Sequence, residues 1–143
     1  MNDFPDNPFG VTVTADSIIE TMQHCDGWEE RYRTVIQMGK KMPVMPDSLK
    51  QDQATIAGCE SKVWLHYQNN SGIFSFYADS DARIVRGLIA LVMAAFNHKD
   101  AQQIQAFDTE AYFDKLGMIA HLSPSRGNGL RAIVEQIKQI TSA

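Results

Sequence analysis

The sequence predicts an α+β fold: a small antiparallel sheet packed against several helices, in a single domain. Three observations carry this. Segments of helical period precede and follow one alternating hairpin, whereas a doubly wound sheet would have strands and helices taking turns. The 143 residues, 44% of them hydrophobic, suit one domain of roughly 100–200 residues with its own core. No internal repeat, low-complexity stretch or linker divides the chain.

The elements follow in order. Residues 1–13, rich in Pro, Asn and Asp, predict an irregular amino-terminal arm. Thr14 can cap a short helix over Ala15–His24 that turns Ile18, Ile19 and Met22 inward. Asp26 followed by Glu29 resembles a capping box opening a helix over Gly27–Lys40. Its apolar face is Trp28, Tyr32, Val35, Ile36 and Gly39 at the 3.6 period. From Met42 to Ala57 the pattern dissolves around Pro43 and Pro46, leaving at most a helical turn within Asp47–Gln53.

Lys62–Gln68 alternates, with Val63, Leu65 and Tyr67 on one face. Asn69-Asn70-Ser71-Gly72 predicts a turn and Ile73–Ala78 the returning strand. Asp79 and Ser80 are suited to cap a helix from about Asp81 to Asn97, apolar over most of its circumference and therefore central. Two short helices are expected at Ala101–Gln105 and Thr109–Leu116, the second stopped by Gly117. Ser123 and Pro124 open a last helix whose inner face is Leu130, Ile133, Val134, Ile137 and Ile140.

Charge and composition exclude several functions. Lys and Arg number 13 against 17 Asp and Glu, a net charge of −4, which denies the chain the counterion-release gain of a nucleic-acid binder. The longest apolar stretch, Gly87–Phe96, is about half of the ~20 residues a membrane span needs. The amino terminus has acidic residues and prolines where a signal peptide has basic and then apolar ones, so a cytoplasmic protein is expected. Cys25 and Cys59, the only two cysteines, make no disulfide framework. No paired Cys or His spacing predicts a metal site.

Chemistry concentrates in Ile56-Ala57-Gly58-Cys59-Glu60-Ser61-Lys62-Val63-Trp64-Leu65. A cysteine follows a glycine at the end of a polar loop and just before a strand, where backbone freedom and close approach by another molecule are available. Lys62 would favour the reactive thiolate and Glu60 would oppose it. Spacing alone serves a free, partly buried structural cysteine at least as well. Elsewhere, Asp79, Ser80 and Asp81 could form an acidic site but suit helix capping better, and Cys25 suits a structural role. Met38, Met42, Met45 and Met118 could line a groove, though core filling is the simpler reading. Trp64 suits packing behind the loop.

The Gly-Cys, Ser61 and Val63-Trp64 pattern resembles the SufE/CsdE family of sulfur-acceptor proteins, in which it marks the active cysteine. The resemblance extends in order from about residue 14 to the end. Trp28-Glu29 with Tyr32 and Gly39 looks like the family's second helix, and Pro43 like the loop after it. Asp79-Ser80 with Ile84-Val85-Arg86-Gly87-Leu88 looks like the segment entering the central helix. His121-Leu122-Ser123-Pro124-Ser125-Arg126 with Gly129-Leu130 looks like the opening of the last helix. Pro8-Phe9-Gly10 and Thr12-Val13-Thr14-Ala15 are more like the CsdE branch, while Ser61 matches the SufE form of the motif.

The resemblance implies that residues 1–143 form a single SufE-like domain without a cofactor of its own. Its partner would be a pyridoxal-phosphate cysteine desulfurase, CsdA-like or SufS-like, whose persulfide sulfur Cys59 accepts by thiol–persulfide exchange. A downstream acceptor, typically on the route to iron–sulfur clusters, would receive it. The chain would then be a co-substrate and activator of the desulfurase with no independent turnover, and neither nucleic acid nor membrane would be a direct partner. Gly58, Glu60, Ser61, Lys62 and Arg126 would be loop or partner contacts. Two alternatives stay open: an adaptor linking the desulfurase to another acceptor such as a tRNA-modifying enzyme, and a cluster scaffold, for which one suitably placed cysteine is too few. The irregular Pro43–Ala57 stretch and Gly58 predict a loop free to move on its leading side. Cys59 is expected to be sheltered until the partner docks.

Overall fold

In the computed structural model, which describes residues 4–51, 62–117 and 122–142, the expected hairpin organises the molecule. Strands β1 (Val63–Asn70) and β2 (Ile73–Ser80) pair antiparallel, Val63 opposite Ser80 and Asn70 opposite Ile73. Two residues with positive φ, Ser71 at 56° and Gly72 at 92°, close it, the left-handed pair that matches strand twist. Both strands run two residues past the predicted ends. A short β3 (Lys99–Asp100) adds to β2, giving the order β1-β2-β3.

Six α-helices complete the described residues: α1 (Ala15–Gln23), α2 (Gly27–Lys40), α3 (Arg83–Phe96), α4 (Ala101–Ala106), α5 (Thr109–Leu116) and α6 (Pro124–Ser142). Thr14 and Ser17 form the capping box of α1, and Gly117 ends α5 in the left-handed conformation. Ser123 Oγ accepts from the Arg126 amide at 3.3 Å, as a cap of α6. The expected box at α2 does not form. Asp26 makes no side-chain cap, and Glu30, one residue further on, accepts from its amide at 2.6 Å.

The faces of the hairpin divide the core. Val63, Leu65, Phe74, Phe76 and Ala78 pack into the main apolar cluster with the helices. In α3 every residue from Gly87 to Phe96 is buried, as its all-round apolar pattern predicts. Leu130, Ile133, Val134 and Ile137 of α6 join it. The opposite face carries a second cluster of Trp64, Tyr77 and Met45, with Phe4 and Leu49 against it. Tyr67, expected inward, is 53% exposed: it stands on the edge strand β1, while its cross-strand partner Phe76 on the central strand is buried.

Two features were not legible in the pattern. Phe9, in the irregular arm, is fully buried. Asn97, itself buried, donates to the Phe9 carbonyl at 3.1 Å and accepts from the Phe76 amide at 2.9 Å. It thus satisfies a β2 donor where β3 is too short to reach.

Candidate functional site

Gly58, Cys59, Glu60 and Ser61 lie outside the described residues, which stop at Gln51 and resume at Lys62. Both flanks are described, and both are held by named contacts.

On the leading flank, the stretch after α2 lies against the outer face of the hairpin. The Tyr77 hydroxyl donates to the Val44 carbonyl, and the Met45 amide donates to Asp79 Oδ2 at 3.1 Å. Met45 is 1% exposed between Trp64 and Tyr77. A single 3₁₀ turn, Asp47–Leu49, follows. His66 Nε2, which must carry a proton to meet a carbonyl, bonds the Leu49 oxygen at 2.7 Å. Lys50 Nζ lies 5.2 Å from the Trp64 ring centroid, a cation–π distance. The stretch expected to be free from Pro43 onward is therefore tethered to the sheet through Lys50. Contacts from distant side chains replace the missing periodicity.

On the trailing flank, Lys62 is exposed but its backbone is clamped. Its amide donates to Asp81 Oδ1 at 3.2 Å, and its carbonyl accepts from Ser80 Oγ at 2.7 Å and the Asp81 amide at 3.4 Å. Val63, Trp64 and Leu65 are buried just beyond, as expected of an anchoring strand.

The two flanks meet at Asp79. Expected as a helix cap, it is instead the penultimate residue of β2 and is 1% exposed. The expectation failed because an Asp-Ser pair before a helical pattern looks the same at a cap and at a strand end. Here α3 opens at Ala82 with no side-chain cap. Asp79 Oδ1 accepts from Arg86 Nη1 and from the Ser80 amide, both at 2.7 Å. Arg86 Nη2 continues to the Gly39 carbonyl at 3.2 Å and the Met42 carbonyl at 3.3 Å. Burial, reinforced by the Asp79 carboxylate and opposed by Arg86, raises the Tyr77 phenol above its ordinary pKa.

The other expected residues fall as follows. Arg126 stands half-buried in the first turn of α6. Cys25 is half-buried, its Sγ 3.5 Å from the Thr21 carbonyl and from Thr34 Oγ1, and it packs on the main core. Met38, Met42 and Met45 fill core space; Met118 and His121 lie outside the described residues. Trp28, Tyr32 and Ile36, expected to face inward, are only partly buried and line an open groove of about 350 Å³ with Glu29 and Arg33. Among the described residues no group of three His, Cys, Asp or Glu could hold a metal. No described helix is long and apolar enough to cross a membrane.

Comparison with known proteins places this frame. Residues 16–141 match the family SufE, described as an Fe-S metabolism associated domain. The chain is 45% identical over 135 residues to the sulfur acceptor protein CsdE of Escherichia coli (strain K12), covering 94% of this chain and 92% of that one. It is 42% identical over 130 residues to an uncharacterized SufE-like protein of Rhizobium meliloti (strain 1021), covering 88% and 93%. The solution structure of a hypothetical protein from Thermus thermophilus shares the fold, with a TM-score of 0.70 at 15% identity over 87% of this chain and 90% of that one.

Proposed function

The chain belongs to the SufE family, and from that premise we propose that it accepts sulfur from a cysteine desulfurase on Cys59 and passes it on. The observation that carries this is the 45% identity, over nearly the whole of both chains, to a protein named a sulfur acceptor. The Gly58-Cys59 motif in the sequence and the clamped strand that follows it support Cys59 as the acceptor. Cys25, the other cysteine, is half-buried on the core with its Sγ 3.5 Å from two oxygens, and no family-like motif surrounds it.

The reaction is an exchange without net redox change. The Cys59 thiolate attacks the outer sulfur of the donor's cysteine persulfide. The sulfur–sulfur bond to the donor breaks, the donor cysteine leaves as thiolate, and Cys59 carries the persulfide. A second exchange of the same kind delivers the sulfur onward, toward iron–sulfur cluster assembly in keeping with the family's description. The pyridoxal phosphate that releases sulfur from L-cysteine belongs to the donor, and this chain supplies the acceptor thiol. A reducing cytoplasm keeps that thiol available.

Intact-mass spectrometry after incubation with a desulfurase and L-cysteine tests the proposal. One added sulfur on Cys59 is expected, and Cys59→Ser should lose both the adduct and the stimulation of desulfurase turnover. Sulfur on Cys25 with Cys59 unmodified refutes the assignment. Undiminished stimulation by Cys59→Ser would favour an adaptor that carries no sulfur.

A further inference from the structure

We infer that the Asp79–Arg86 pair, its carboxylate buried and its guanidinium partly so, is a positioning device for sulfur transfer, an inference that rests on the proposed role of Cys59. A buried ion pair is a poor way to stabilise a fold, since apolar residues of the same volume often serve as well or better. What charge adds is direction. Five hydrogen bonds radiate from this pair, to Met45 and Ser80, between the partners, and to Gly39 and Met42. They join the end of α2, the stretch after it, the end of β2 and the start of α3.

These segments are the ones that bracket residues 52–61. Through Met45, Asp79 fixes the leading flank on the sheet, and Tyr77 OH adds a hold at Val44. Through the Ser80 amide it fixes the residue whose hydroxyl holds the Lys62 carbonyl, three residues after Cys59. Asp79 is also the cross-strand partner of Trp64, the residue on which Met45 and Lys50 rest. One side chain therefore sets the separation and direction of both flanks. Docking binds a surface, but transfer needs sulfur and thiolate in line and in contact. A misplacement of about 1 Å can cost up to about a hundredfold in rate. Loss of the pair should accordingly slow transfer within the docked complex while leaving docking itself intact.

The test uses the full chain as co-substrate of a cysteine desulfurase with saturating L-cysteine, and varies the concentration of Asp79→Asn and Tyr77→Phe. Asp79→Asn keeps the shape and removes the charge that Arg86 faces; Tyr77→Phe removes one hydrogen bond and leaves the ion pair whole. For folded Asp79→Asn, kcat should fall about tenfold or more, with KM for this protein unchanged, and Tyr77→Phe should show a smaller fall of the same kind. Tyr112→Phe, which loses a buried bond to the Leu91 carbonyl elsewhere in the core, controls for general destabilisation and should keep the parental kcat. If Asp79→Asn fails to fold, Tyr77→Phe decides. A kcat at or above the parent's, or a raised KM with kcat unchanged, overturns the positioning role. A parent chain that takes no sulfur on Cys59 overturns the proposed function first, so the two failures are told apart.

Discussion

Replacing Gly87 by alanine probes the crossing that sets the site's frame. Gly87 lies where α3 meets α2 at backbone contact. A Cβ there would stand 2.3 Å from the Val35 carbonyl oxygen, 2.6 Å from Val35 Cγ1 and 2.8 Å from the Val35 carbonyl carbon. Ordinary contact begins at 3.4 Å, so α2 must retreat by about 1 Å, and backbone cannot step aside as a side-chain tip can. The retreat also draws Gly39 and Met42 from Arg86, whose bonds to their carbonyls at 3.2 and 3.3 Å have little length to spare. Overpacking costs about 1–3 kcal/mol and the weakened charged bonds about 1–2 more. Alanine's helix propensity returns about 1 kcal/mol, leaving a net loss of roughly 1–4 kcal/mol and about 3–13 °C in Tm. Gly127→Ala in α6 is the matched control, because its Cβ meets only Arg131 Nη1 at 3.8 Å. It should be neutral or stabilising by up to about 1 kcal/mol. Urea unfolding followed by circular dichroism measures both. Gly87→Ala as stable as the parent, or Gly127→Ala equally weakened, would show that the helix crossing is not the constraint.

Two further outcomes concern other parts of the molecule. Phe9→Ala should cost about 3–5 kcal/mol in urea unfolding, as for a filled core site, and a loss under about 1 kcal/mol would mean that the arm is not part of the core. Burial raises the phenol pKa of Tyr112, and of Tyr77 with it. Folded phenols then keep protons that unfolded ones release near pH 10. Stability should hold up to about that pH and fall above it. Tyr112→Phe should flatten the alkaline fall, and an unchanged slope in pH-dependent unfolding would refute the assignment.

Periodicity carried the sequence reading where one face of an element is buried along its length. The hairpin, the all-round apolar α3 and the inner face of α6 are such cases. It failed where structure is made by single contacts between distant residues. Met42–Lys50 has no period because Tyr77, Asp79, His66 and Trp64 hold it, each from elsewhere in the chain. A two-residue β3 is too short to alternate. The burial of Phe9 depends on Asn97, 88 residues away. The proposal for Cys59 comes from the motif around it, since spacing alone favours a structural cysteine.

Asp79 shows why the contacts that hold the two flanks were harder to read than the Cys59 motif. In sequence it has the right type and place to cap α3, and nothing local distinguishes a carboxylate that accepts from the next helix's amides from one that ends a strand. The distinction comes from Arg86, one turn into α3, which turns back across the helix start to bond it. The same guanidinium also reaches α2 because Gly87, with no Cβ, lets that helix come close enough for Gly39 and Met42 to accept from it. Arg86 and Gly87 therefore act as a unit: the glycine brings α2 near, and the arginine fastens the chain that leaves it to the sheet. A helix crossing thereby becomes a fixed position for Met45, and the leading flank of the Cys59 segment starts from a defined place.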